Sequence, residues 1–111
     1  MVLTDNPEYR LLREEIFGPV APVIAFDDID TMVAQANDTE MGLTGYVYTS
    51  DLAKGLAVSE RIQAGMIGLN QGAVSDPAAP FGGMKQSGLG REGAQEGILE
   101  FCETQYIATD W

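Results

Sequence analysis

The sequence contains no histidine. Ser-His-Asp and Cys-His catalysis, histidine proton shuttling and most zinc sites are excluded at once. Cysteine occurs once, at Cys102, so no disulfide can form within the chain. Cations are scarce: 6 Lys and Arg stand against 17 Asp and Glu, a formal net charge of −11. Such a charge repels phosphate backbones and anionic bilayers, which argues against nucleic-acid and membrane partners. No apolar run approaches the roughly 18 residues that would suggest a membrane-spanning helix. Charges at Asp5, Glu8, Arg10, Arg13 and Glu14 deny the start of the chain the apolar stretch of a signal peptide. The expectation is a soluble, cytoplasmic protein. Asn37-Asp38-Thr39 spells a glycosylation sequon, but nothing else in the sequence points to secretion.

The remaining composition is that of a globular protein. Of 111 residues, 45% are hydrophobic and 21% charged, enough for one compact domain and too few for a separate cofactor domain beside it. Val20 to Phe26 is a short run rich in β-branched and aromatic residues between two turn signals, and reads as a buried strand. Ile29, Met32, Val33 and Ala36 then fall at helical spacing, with Asp27 or Asp28 placed to cap the first turn. Tyr46 to Thr49 reads as a second strand. Ser50-Asp51 opens another helix with Leu52 and Leu56 on one face, and Gly65 is placed as its C-cap. Met66 to Asn70 is a third strand. Strands alternating with helices predict an α/β fold with a parallel sheet and helical crossovers.

A glycine-rich stretch, Gln71 to Gly90, follows and is long for a simple connection, so function could concentrate there. Beyond it Ala94, Gly97, Ile98 and Phe101 restore helical spacing, and Thr104 to Thr109 has strand-like composition without an evident partner. Gly88-Leu89-Gly90-Arg91-Glu92-Gly93 spells G-x-G-x-x-G, yet no strand leads directly into it, so it reads as a glycine loop entering a helix. Cys102 lies at the end of an apolar stripe between Glu100 and Glu103, which points to a packed core or interface thiol. Asp27, Asp28 and Asp30 lack the spacing of a calcium loop and suit helix capping.

Two longer motifs say more. Arg13-Glu14-Glu15-Ile16-Phe17-Gly18-Pro19-Val20 sets carboxylates and an aromatic against a Gly-Pro turn. Pro80-Phe81-Gly82-Gly83-Met84-Lys85-Gln86-Ser87-Gly88-Leu89-Gly90-Arg91-Glu92 packs an aromatic into a glycine-rich loop. Together they resemble the C-terminal part of the aldehyde dehydrogenase superfamily, in which E-E-x-F-G-P-V is followed downstream by P-F-G-G-x-K-x-S-G-x-G-R-E. The resemblance covers essentially the whole chain, including Ala36 to Leu43 and Ala64 to Asn70. Within the superfamily, Asn70 to Phe81 is most similar to succinate-semialdehyde dehydrogenases.

The resemblance implies an α/β fold: the C-terminal part of a catalytic domain over residues 1–102, and an oligomerisation-type tail strand over 103–111 that pairs across subunits of a homo-oligomer. It implies NAD or NADP as cofactor. Glu15 takes the position of the glutamate that holds both nicotinamide-ribose hydroxyls, and Phe17 that of the aromatic beside the nicotinamide ring. A carboxylate suits a diol, because its two oxygens accept both hydroxyl hydrogens with charge assistance. Ser75 takes the position of the loop serine that bonds the far carboxylate of the substrate, and Phe81 that of an aromatic lining the aldehyde pocket. The bland alternatives are a solvated charged cluster for Glu15, a core position for Phe17, a turn serine before Asp76-Pro77 for Ser75, and a loop anchor for Phe81. The family reaction needs a cysteine nucleophile and a glutamate general base. Neither motif occurs here, so the chain alone is expected to be inactive. The competing reading is a stand-alone acidic interaction module.

Overall fold

The computed structural model describes residues 1–4, 6 and 8–111. It contains two compact units, Met1–Thr39 and Glu40–Trp111.

In the first unit, strand β1 (Val2–Leu3) pairs in parallel with β2 (Pro22–Val23). The Val2 N–H donates to the Ala21 carbonyl at 2.8 Å and the Thr4 N–H to that of Val23 at 3.0 Å. The acceptors are the carbonyls on either side of Pro22, so the N–H that Pro22 lacks is not required. The sequence predicts a buried strand over 20–26; only two residues pair, and Val20, Ile24 and Phe26 are exposed. A strand extends no further than its neighbour, and β1 has two residues. Helix α1 (Arg10–Arg13) is a single turn, and α2 (Ile29–Asn37) follows the expected periodicity with Val33 buried. Of the two candidate caps Asp28 is the one used: its carboxylate accepts from the Thr31 N–H at 2.7 Å and the Thr31 hydroxyl at 2.8 Å.

The second unit is built on β4 (Thr44–Val47) and β5 (Met66–Leu69), parallel in the register Thr44↔Met66 to Val47↔Leu69 and connected through helix α3 (Leu52–Ser59). Asp51 caps α3 by accepting from the Lys54 N–H at 3.0 Å. Val58, Ala64 and Met66 form the buried apolar centre between helix and strands. Asn70 ends β5 with φ 54°, and its side-chain amide exchanges hydrogen bonds with the backbone of Thr49, at 2.9 and 2.8 Å. The expected third strand therefore closes one residue early. Strands β3 (Met41–Gly42) and β6 (Met84–Lys85) pair antiparallel.

The parallel sheet expected from the alternation is three separate two-stranded sheets, two of them parallel. Gly65 does not cap α3, which ends at Ser59 with Glu60 following it. Instead it precedes β5 where a Cβ would overlap the carbonyl oxygen of Gly82, so only glycine fits. Helix α4 (Ala94–Leu99) stops short of Phe101 and buries no residue. The tail strand is not formed: residues 103–111 carry no regular secondary structure and are exposed throughout. A strand needs the N–H and C=O groups of a neighbour, and no described segment supplies them.

Candidate functional site

Helix α1 ends in a turn that organises charge. Arg10 Nε and Nη2 reach the two oxygens of Glu14 at 2.7 and 2.8 Å, a bidentate pair one helical turn apart. These hydrogen bonds hold the Glu14 carboxyl below the usual carboxylate range; slight burial opposes them and the guanidinium charge adds to them. Arg13 Nη1 meets Asp38 Oδ2 at 2.7 Å, and its Nη2 lies 3.6 Å from Glu8. Both arginines are thus engaged by carboxylates other than that of Glu15. Glu15 is exposed and, among the described residues, has no ion pair. Two residues on, the Phe17 ring is 95% exposed, so it is not a core residue within this unit. The turn Gly18-Pro19 follows, with the Gly18 N–H donating to the Ile16 carbonyl at 3.0 Å.

In the second unit the glycine-rich stretch is more ordered than its composition suggests. Phe81 and Glu92 form an antiparallel bridge, each N–H donating to the other's carbonyl, at 2.8 and 2.7 Å. Inside the loop so closed, Arg91 Nη1 donates to the carbonyls of Gly83 at 2.9 Å and Gly90 at 2.6 Å. A Cβ on Gly82 would stand 2.6 Å from the Gly90 oxygen and 2.8 Å from Arg91 Cδ, so the paired glycines let the guanidinium lie against the backbone. Ser87 Oγ accepts from the Gly42 N–H at 2.9 Å and ties the loop to β3. The motif residues that sequence reasoning left without a role, Arg91 and Ser87, are its fasteners. A cation set among glycines, in a chain with only 6 Lys and Arg, was the available signal.

An open hollow of about 690 Å³ borders this loop and α4, with Phe81, Leu43, Arg91, Ile98, Phe101 and Cys102 on its walls. Phe81 is half-buried there, so it both anchors the loop and presents a face to the hollow. Cys102 is exposed at this wall, its thiol facing the Ile98 carbonyl at 3.4 Å, and is not packed in a core of this chain. Ser75 is exposed and does not border the hollow. Turn chemistry beside it falls on Asp76, whose carboxylate accepts from the Ala78 N–H at 2.8 Å and whose carbonyl accepts from the Ala79 N–H at 3.0 Å. The Ser75 hydroxyl takes no part in that turn.

The G-x-G-x-x-G stretch forms no phosphate cradle. Gly88, Gly90 and Gly93 have positive φ, but the Arg91 N–H donates to Glu100, the Glu92 N–H to Phe81 and the Ala94 N–H to Pro77. The amides of Arg91, Glu92 and Ala94 are therefore already occupied.

Comparison with known proteins places these motifs in context. Residues 1–107 match the model of the aldehyde dehydrogenase family. Over 107 residues the chain is 52% identical to succinate-semialdehyde dehydrogenase of Paenarthrobacter nicotinovorans, covering 96% of this chain and 24% of that protein. It is 48% identical to a probable succinate-semialdehyde dehydrogenase [NADP(+)] of Sinorhizobium fredii, again over 96% of this chain and 22% of the relative. The crystal structure of Mycobacterium tuberculosis aldehyde dehydrogenase complexed with NAD+ superposes with a TM-score of 0.83 at 42% identity, over 89% of this chain and 20% of that one. The chain thus spans about a quarter of the length of the relatives it matches. Its α/β architecture is that of a partial catalytic domain, and the chain belongs to the aldehyde dehydrogenase family.

Proposed function

We propose that this chain supplies the nicotinamide-ribose contact and part of the aldehyde pocket of an NAD- or NADP-dependent dehydrogenase that oxidises succinate semialdehyde to succinate. One observation carries the cofactor half. Among the described residues Glu15 has no cationic partner while both neighbouring arginines are held by other carboxylates, so its two oxygens can accept from two hydroxyls. The exposed Phe17 ring offers an apolar face nearby in sequence, and the residues present therefore fit a nicotinamide dinucleotide. When bound, that cofactor supplies the hydride acceptor.

The chain's own residues bind and orient. Glu15 fixes the ribose by charge-assisted hydrogen bonds, and Phe17 limits where the ring beside it can lie. In the other unit Phe81 shapes the aldehyde pocket, and the Ser75 hydroxyl, free of local turn chemistry, donates to the distal carboxylate of the substrate. The cysteine nucleophile and the glutamate that activates water come from polypeptide outside these 111 residues, and the tail 103–111 pairs between subunits of a homo-oligomer. The succinate-semialdehyde reading is supported by the 52% and 48% identity to the two succinate-semialdehyde dehydrogenases.

The test is a graft. Residues 1–107 replace the matching stretch of the P. nicotinovorans enzyme, and NAD(P)H formation is followed with succinate semialdehyde. The graft is expected to be active and the isolated chain to give no NAD(P)H. A folded graft without activity, or turnover by the isolated chain, overturns the proposal.

A further inference from the structure

We infer that Arg91 is a positioning residue for the aldehyde pocket, acting through Phe81 rather than by touching the substrate; the inference rests on the placement of Phe81 in that pocket. Arg91 follows Gly90 at one end of the loop, and its guanidinium spans to Gly83 at the other end, two residues past Phe81. The next residue, Glu92, holds Phe81 by both backbone hydrogen bonds of the bridge. From the helical side the Arg91 N–H donates to Glu100 Oε1 at 3.1 Å, so the same residue links the loop to the segment that closes α4. Arg91 therefore meets the Phe81-bearing backbone before, within and behind the loop.

The chemistry explains why an arginine does this. Two carbonyls must be bridged by one donor head, and Nη1 serves both, at 2.9 and 2.6 Å. A lysine ammonium also carries its donors on one nitrogen but on a shorter side chain, so it can replace the bridge only in part, and an apolar side chain leaves two part-buried carbonyls without their partner. Loss of that bridge frees the loop ends to separate, whereas the β4–β5 ladder and the Asp51 cap of α3 use no hydrogen bond of Arg91. The Phe81 ring then loses its fixed position on the wall of the hollow.

Two measurements test this. In the isolated chain, Arg91→Met is expected to speed amide hydrogen exchange at Phe81 and Glu92 by about tenfold while the amides of β4 and β5 keep their rates, a local opening rather than global unfolding. Unchanged exchange at Phe81 and Glu92, or equal acceleration everywhere, overturns the inference. In the active graft, Arg91→Met is expected to raise the aldehyde KM about tenfold with little change in the dinucleotide KM, and Arg91→Lys to restore part of the loss. The effect should vanish in a Phe81→Ala background, because a residue that works through Phe81 has nothing left to position. Additive losses from Arg91→Met and Phe81→Ala overturn the inference while leaving the dehydrogenase reading intact. An inactive but folded parent graft overturns that reading itself.

Discussion

The Arg13 guanidinium meets the Asp38 carboxylate at 2.7 Å, joining the end of α1 to the residue that closes α2 across 25 positions of sequence. With Arg10 held by Glu14, this leaves Glu15 as the carboxylate of the Glu14-Glu15 pair that is open to a ligand. In the active graft, Glu15→Gln should slow single-turnover NAD(P)H formation by about tenfold, since an amide gives up one charge-assisted acceptor. Pre-steady-state absorbance of the reduced nicotinamide checks it. An unchanged rate removes Glu15 from the cofactor site.

Ser75 lies outside the Asp76 turn and is exposed. Ser75→Ala should therefore leave stability nearly unchanged, and should lower kcat/KM for aldehydes bearing a distal carboxylate by about 1–3 kcal/mol. Neutral aldehydes of similar length are the control. Equal losses on both classes would show that the hydroxyl does not read the carboxylate.

Gly65 packs against the Gly82 carbonyl with no room for a methyl group. Gly65→Ala should destabilise the second unit by about 1–3 kcal/mol, because backbone rather than a flexible side chain must move. Thermal unfolding of the isolated chain measures this. Gly72→Ala, whose Cβ would find its nearest neighbour at 3.5 Å, should be far milder.

The Arg10–Glu14 pair makes a pH prediction of definite sign. The Glu14 carboxyl is held below its ordinary value in the folded chain. The pair's contribution is present above the ordinary carboxyl value of the unfolded chain and is lost as pH falls through the lower folded value. Carbon-detected NMR titration should show Glu14 ionising at lower pH in the parent than in Arg10→Gln. Coincident curves would show that the hydrogen bonds contribute nothing in solution. Both groups are largely exposed, so added salt should narrow the difference.

Local order was legible where one residue decides it. Asp28 and Asp51 cap helices because an acceptor three residues before a free N–H does so whatever surrounds it. Strands were visible at 46–49 and 66–70 from apolar runs between turns, but the pairing of β4 with β5 starts two residues earlier, at Thr44, and ends at Val47 and Leu69. What depends on distant partners was not visible. The run at 20–26 has the composition of a buried strand, yet burial requires a covering layer and pairing requires a neighbour of equal length. The same holds for 103–111. At the candidate site, Glu15, Phe17, Ser75 and Phe81 came from motif resemblance. The roles of Arg91 and Ser87 emerged only from contacts that link residues up to 45 positions apart.

The contact between Gly65 and Gly82 has a mechanical corollary. It sets the entry to β5 directly against the loop that bears Phe81, carbonyl to α-carbon, with no compliant side chain in between. Tolerance for sequence drift at this junction is therefore narrower than a single methyl group, because the neighbour that would have to yield is backbone.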